Sequence, residues 1–207
     1  MALDYEQQYY SSSIKYIVGC DEAGRGCLLG DVFAGAVILP KDFKCDLIND
    51  SKQLSEKQRE EAFEIIKKNA IAWGVGRCTA EEIDEINILN ASRLAMERAI
   101  DNMNHRFDMI ITDAVKMYKY DCPREALVHG DALSQCVAAA SIIAKVSRDH
   151  YCLELDKKYP EYEIAKHKGY GTKVHMDALK KYGPIQGLHR FSYAPIKKLF
   201  IEKISLF

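Results

Sequence analysis

The chain has 207 residues, 48% of them hydrophobic and 29% charged, with a formal net charge of −1 at pH 7. That make-up suits one large soluble globular domain, or one domain with an appendage. No apolar run approaches membrane-spanning length, and the near-neutral total by itself advertises no polyanionic partner.

Residues 1–14 read as a loose leader whose polar, acidic start is unlike a signal peptide, which sets a cytoplasmic expectation. Tyr16, Ile17 and Val18 are β-formers and open a buried strand over about 15–20. That strand runs into two adjacent carboxylates, Asp21 and Glu22, and then a glycine-flanked arginine, Gly24-Arg25-Gly26. A second apolar strand spans 32–39 and stops at Pro40; its small residues Ala34, Gly35 and Ala36 anticipate close packing. Asn49-Asp50-Ser51-Lys52 makes a polar loop. Ser55 with Gln58 is a capping box for a helix ending near Asn69, with Ala62, Phe63 and Ile66 on one face.

A third strand over 71–78 leads to another capping box, Thr79 with Glu82, and a longer helix to about Met103. Leu89, Met96, Ile100 and Met103 form its apolar stripe. A short fourth strand over 109–112 ends at Asp113, and a fifth over 125–129 ends at Gly130-Asp131. One helix is expected from Asp131 to about Ser147 and a second reaching Tyr159. Thr172 caps a further helix that stops at Gly183-Pro184, and the C-terminus is weakly helical. Strands mixed with helices argue for an α/β sandwich with an all-helical C-terminal part.

Seven cysteines without any Cys-x-x-Cys pair read as reduced, partly buried thiols rather than a zinc site. Charge is unevenly spread. Residues 157–207 hold eleven Lys/Arg against four Asp/Glu, whereas the first 156 hold eighteen against twenty-six. An acidic body with a basic end suits a metal-binding centre beside a nucleic-acid surface, although a solvated helical face gives the same count.

Three separate strands thus end in carboxylates: Asp21 and Glu22, Asp113, and Asp131. Sites in open α/β sheets form beyond strand ends. Asp131 also reads as a plain helix N-cap, and Asp21-Glu22 alone as solvated acids beside a turn. A dinucleotide loop does not fit, because the glycines are spaced Gly24-x-Gly26-x-x-x-Gly30 and two acids precede them. Converging carboxylates would repel one another unless a cation bound, and all-oxygen ligation selects Mg²⁺ or Mn²⁺. Two such ions roughly 4 Å apart can activate water and stabilise a leaving oxygen in phosphodiester hydrolysis. A second cluster, 167–173, sets Lys168 and Lys173 about Tyr170 between glycines. Tyr170 reads equally as a stacking platform for a sugar or base and as a structural loop tyrosine; Thr172 opens a helix N-terminus that attracts phosphate.

Together these runs resemble bacterial ribonuclease HII over roughly 15–198. The match lies in Asp21-Glu22-Ala23-Gly24-Arg25-Gly26, Asn49-Asp50-Ser51-Lys52-x-Leu54-Ser55 and Ile83-Asp84-x-Ile86-Asn87-Ile88-Leu89. It continues through Gly130-Asp131-Ala132, the 138–149 block with Lys145, Arg148 and Asp149, the 166–172 run, and His189-Arg190-x-Ser192-x-Ala194-Pro195. The resemblance implies an RNase H-like fold, a five-stranded mixed sheet flanked by helices. It divides the chain into a leader (1–14), a catalytic core (15–158) and a C-terminal helical substrate-binding segment (159–207) of the same compact unit. It implies an endonuclease that hydrolyses RNA in RNA–DNA hybrids and incises 5′ of ribonucleotides embedded in duplex DNA, as in ribonucleotide excision repair and primer removal. Products would carry 3′-hydroxyl and 5′-phosphate ends.

By the same resemblance, Asp21, Glu22, Asp113 and Asp131 hold two Mg²⁺ or Mn²⁺ ions. The Gly24-Arg25-Gly26 backbone reads the ribose 2′-hydroxyl, which distinguishes RNA from DNA. Tyr170 stacks on the following deoxyribose, with Asn49, Ser51, Lys52, Lys168 and Thr172 as further substrate contacts. The chain departs from the family at Ala114-Val115-Lys116, where Gly-Asn-Arg is usual, and at Cys27 (proline), His129 (lysine) and Phe191 (arginine). Its end, Lys203-Ile204-Ser205-Leu206-Phe207, is similar to a sliding-clamp motif, with Ile204, Leu206 and Phe207 as the groove-filling residues, or else an apolar stripe of a terminal helix. A monomer without membrane attachment is expected. The competing readings are another RNase H-like nuclease with different substrate choice and a non-catalytic hybrid-binding protein.

Overall fold

The computed structural model describes residues 3–48 and 54–204, with the backbone alone from 200 on. Its elements in chain order are β1 (Ile17–Ala23), β2 (Val32–Ile38), α1 (Glu56–Asn69), β3 (Ala72–Cys78), α2 (Ala80–Met103), β4 (Met109–Asp113) and β5 (Arg124–Leu127). Then follow α3 (Gln135–Lys158), the single turn α4 (Ile164–His167), α5 (Lys173–Tyr182) and α6 (Ala194–Ile204). The five strands form one mixed sheet in the order β3-β2-β1-β4-β5. The β1–β2 and β2–β3 pairs are antiparallel, and β1–β4 and β4–β5 are parallel. Among the described residues no helix is long and apolar enough to cross a membrane.

Helices cover both faces. On one, α2 sets Ala91, Ala95, Met96 and Ile100 against Val18, Cys20, Ala34 and Ala36. On the other, α1 and α3 bury Phe63, Ile66, Ala138 and Ile142 with Val37. The small residues expected to pack closely do so: a Cβ on Gly35 would stand 2.3 Å from Ala140 O, and one on Gly19 2.2 Å from the Cys136 carbonyl carbon. Glycine at these two places lets α3 lie directly on β1 and β2. Both capping boxes form as the sequence spells them, Ser55 with Gln58 and Thr79 with Glu82.

Three expectations change. The leader is not loose: Tyr5–Tyr9 forms a 3-10 turn, and Glu6, 3% exposed, accepts hydrogen bonds from Gln135 N (3.2 Å) and Cys136 N (3.1 Å) at the start of α3. A buried carboxylate at a helix N-terminus meets amides that have no partner inside the helix. The long helix to Met103 breaks at Asn87 (φ 66°, ψ 162°), whose side chain accepts from Leu89 N and Asn90 N and starts a new segment; Leu89 is accordingly exposed. The two helices expected over 131–159 are one, α3, and it begins at Gln135 with Ser134 as its cap.

Candidate active site

Asp21 and Glu22 lie within β1 rather than beyond it, paired in register with Gly35 and Ala34 of β2. Asp113 is the last residue of β4, one step past the Cys20–Thr112 pair, and so stands level with Asp21 across the parallel ladder. Alternation puts both on the face covered by α3. Asp131 sits in a 3-10 turn, Gly130–Ala132, ahead of the helix it was expected to open, and is 5% exposed. Asp113 Oδ1 accepts from Gly130 N at 2.9 Å, which ties the turn carrying Asp131 to the end of β4.

The electrostatics are strained. Burial first, then the charges of Glu22 and Asp113, push the Asp21 carboxyl well above its ordinary range. The Ser141 hydroxyl and the Glu22 N–H, 2.7 Å from Asp21 Oδ1, only partly oppose this. Burial also raises Glu22, against the pull of Arg25, whose Nη1 lies 3.0 Å from Glu22 Oε1. The other oxygen, Glu22 Oε2, is buried without a hydrogen-bond partner among the described residues.

Among the described residues no three His, Cys, Asp or Glu side chains stand together as a ready-made cation cage. The contacts explain it: Glu22 turns one oxygen to Arg25, and Asp113 turns one to the Gly130 amide. The donor set nonetheless fits a hard divalent cation, because it is all oxygen, Asp21, Glu22 and Asp113 repel one another, and Glu22 Oε2 has no hydrogen-bond partner among the described residues.

A cleft of about 440 Å³ opens beside Glu22 and is lined by Gly24, Arg25, Gly26, Lys145 and Tyr170. Gly24 is buried at φ +99°, and a Cβ there would stand 2.1 Å from Arg148 Nε. Arg148, 1% exposed, donates to the carbonyls of Leu29 (3.1 Å), Asp31 (3.2 Å) and Lys168 (2.8 Å). Arg190, fully buried, donates to Gly30 O (3.0 and 2.8 Å) and Arg25 O (2.9 Å), and Tyr193 OH reaches Arg25 O at 2.6 Å. Leu28 N donates to Gly169 O at 2.8 Å. Two guanidiniums thus turn the carbonyls of the 24–31 loop inward and pin it to the 168–170 turn. The Arg25 and Gly26 amides have no acceptor among the described residues.

Tyr170, 47% exposed, stands beside Gly26, where an added Cβ would lie 4.0 Å from its ring. Cys27, where the family pattern has proline, donates its N–H to Gly24 O (3.3 Å) and its thiol to Lys168 O (3.6 Å). Lys168 Nζ is 3.9 Å from Glu56 Oε1, so its side chain runs toward α1. Thr172 Oγ1 accepts from His175 N at 3.4 Å and caps α5. Ala114 adopts φ +54°, the left-handed conformation that a glycine there would take without strain.

Asn49, Ser51, Lys52, Leu206 and Phe207 lie outside the described residues, and for Ile204 only the backbone, at the end of α6, is described. Sequence reasoning gave no role to Arg148 or Arg190, because a charged residue in a helix or loop ordinarily reads as solvated. It missed Arg59 altogether, which lines the cleft with Nε buried and unpartnered among the described residues.

The family model described as Ribonuclease HII matches residues 18–196. Among curated relatives, the Ribonuclease HII of Alkaliphilus metalliredigens is 51% identical over 203 residues, 95% of this chain and 98% of that one. The Ribonuclease HII of Endomicrobium trichonymphae is 49% identical, covering 96% of this chain and 94% of its own length. Among solved structures, the ribonuclease H2 from Pyrococcus horikoshii OT3 superposes with a TM-score of 0.77 at 26% identity, covering 90% of this chain and 98% of that one.

Proposed function

Since this chain belongs to the ribonuclease HII family and is a ribonuclease H of type 2, we propose that it hydrolyses RNA in RNA–DNA hybrids. We further propose that it cuts on the 5′ side of ribonucleotides embedded in duplex DNA, leaving 3′-hydroxyl and 5′-phosphate ends. The observation that carries the reading is one juxtaposition. Mutually repelling carboxylates at the ends of β1 and β4 adjoin a cleft walled by Tyr170 and by the 25–26 loop, whose amides have no acceptor among the described residues.

Asp21, Glu22, Asp113 and Asp131 would hold Mg²⁺ or Mn²⁺, two ions in the substrate complex, which would supply an activated water and charge stabilisation at the scissile phosphate. The rest falls to the chain itself. The Arg25 and Gly26 amides are donors that a ribose 2′-hydroxyl can accept and a deoxyribose cannot. Tyr170 offers its exposed ring to the next sugar. Arg25, Arg59 and Lys145 supply positive charge along the cleft for the phosphate backbone. Ile204, Leu206 and Phe207 are proposed as a tail that holds the sliding clamp; removing 203–207 should abolish clamp pull-down and leave basal cleavage unchanged.

The deciding experiment is a DNA duplex with one ribonucleotide, incubated with Mg²⁺ or Mn²⁺, and the cut mapped. A single incision 5′ of the ribonucleotide is expected. No cut with either ion would sink the reading, and equal cutting of all-DNA duplex would favour an RNase H-like nuclease of other specificity. Tyr170→Ala should reduce single-ribonucleotide incision more than cutting of long RNA stretches.

A further inference from the structure

Three histidines that the catalytic reading does not use are buried together under the turn that carries Tyr170. His167 is 4% exposed, His175 0% and His189 1%. The rings of His167 and His175 stack at 4.2 Å between centroids with planes 10° apart, and His175 Nε2 lies 3.1 Å from His189 Nε2.

The backbone around them fixes every proton, because an amide N–H can only donate and a carbonyl can only accept. Ile185 N donates to His189 Nδ1 at 2.8 Å, so His189 carries its proton on Nε2. Tyr170 O lies 3.0 Å from His175 Nδ1, so His175 is protonated there and its bare Nε2 accepts from His189. Gly169 N donates to His167 Nδ1 at 3.1 Å, which leaves the Nε2 proton of His167 for Tyr162 O at 2.9 Å. Three neutral rings, in one tautomer each, satisfy every one of these bonds.

What the relay supports is strained. Lys168 (φ 49°) and Gly169 (φ 86°) are consecutive left-handed residues, and a Cβ on Gly169 would stand 2.5 Å from Leu29 O. A non-glycine residue in this conformation costs about 1 kcal/mol and persists only where its surroundings hold it. The relay ends on the Tyr170 carbonyl, which also accepts from Thr172 N at 2.8 Å, while Tyr170 N donates back to His167 O at 2.9 Å. The Tyr170 backbone is therefore gripped on both sides by the histidine cluster, and its ring alone projects toward the cleft.

We propose that His175 and His189, with His167 stacked beneath, are positioning residues that set Tyr170 against the cleft and so sharpen its choice between a ribonucleotide junction and continuous hybrid. This rests on the reading of Tyr170 given above. It extends the machinery of discrimination to side chains that never touch substrate.

The test pairs two substitutions on the full chain. His175→Asn keeps an N–H donor at the Nδ1 position for Tyr170 O; His175→Phe keeps a stacked ring but removes the donor. Amide hydrogen exchange across 168–172 is read first, below the melting temperature and without substrate. Protection should fall about tenfold in His175→Phe and hold within a few-fold in His175→Asn, the scale of one lost buried hydrogen bond. The ratio of single-ribonucleotide incision to long-hybrid cutting should fall about tenfold in the Phe variant only. Unchanged protection in His175→Phe overturns the relay. Lost protection with an unchanged substrate ratio upholds the relay and overturns the junction role of Tyr170 instead. Should His175→Phe fail to fold, His175→Gln, whose amide reaches the His189 side but not Tyr170 O, carries the same comparison.

Discussion

The carboxylate edge and the reading face are built on opposite electrostatic terms. At the ends of β1 and β4 the acids crowd one another, and one oxygen of Glu22 has no partner among the described residues. Under the 24–31 and 167–172 loops, Arg148, Arg190 and the three histidines each find backbone partners with complementary donors and acceptors. The first region gains from charge supplied from outside, whereas the second holds its shape by itself. Their pH dependences run in opposite directions as well. An acid raised above its ordinary range, such as Asp21, favours the fold most in acid, and that contribution is lost as pH rises through its folded value. A histidine lowered below 6.5 favours the fold above that pH and loses the contribution as pH falls.

Asp21→Asn should separate the regions most sharply. Cleavage should drop on the order of 10³-fold or more, the loss expected on removing a proposed ion ligand worth several kcal/mol of charge stabilisation. The melting temperature of the ion-free protein should nevertheless rise by a few degrees, roughly what relief of 1 kcal/mol gives at this size. A lower ion-free melting temperature would show that the Asp21 charge is not strained. Arg148→Met tests the other region. It strips donors from three buried carbonyls and should reduce the unfolding free energy by about 3 kcal/mol or more, read by urea titration. A loss under about 1 kcal/mol would mean the loops do not depend on it.

The pH slope is next. Burial pulls His175 down to about 4 and His189 to about 3. The contribution of these rings to stability should be at its full value above pH 6.5 and fall as pH drops toward those values, by roughly 2 kcal/mol per ring at pH 5. Because the raised carboxyls pull the net stability the other way, the check is the imidazole titration itself, read by NMR: His175 and His189 titrating near 6.5 would break the contrast. The smallest effect is expected at Ala114→Gly. Relief of the left-handed strain should raise stability by about 0.5–1 kcal/mol, seen as a shift in the denaturation midpoint. A decrease would show that the turn beside Asp113 is not strained.

What the sequence disclosed follows the range of the interactions involved. The capping boxes at Ser55 and Thr79 lie within four residues and read directly. The positions of Asp21, Glu22 and Asp113 near strand ends were legible because β-formers run directly into these acids, although β1 runs on through the first two. Asp131 was expected to open the helix, but Ser134 three residues later supplies the cap. The Asn87 break hid because no glycine or proline marks it; its positive φ and the bonds its side chain accepts from Leu89 N and Asn90 N show it only in the structure. Arg148, Arg190 and the histidine relay were illegible: their partners are mostly backbone amides and carbonyls, for Arg190 up to 165 residues away, and no side-chain pattern encodes a backbone group.

Glu6 has a consequence for the order of events in folding. It is synthesised 129 and 130 residues before the amides it meets at Gln135 and Cys136. Closing so long a loop is entropically unfavourable until the intervening sheet is in place, so this contact belongs among the last to form. The helix that lies across β1 and β2 therefore gains its terminal carboxylate only once the central layers have assembled. Glu6→Gln should accordingly speed unfolding far more than it slows refolding, a signature readable from the two arms of a chevron plot.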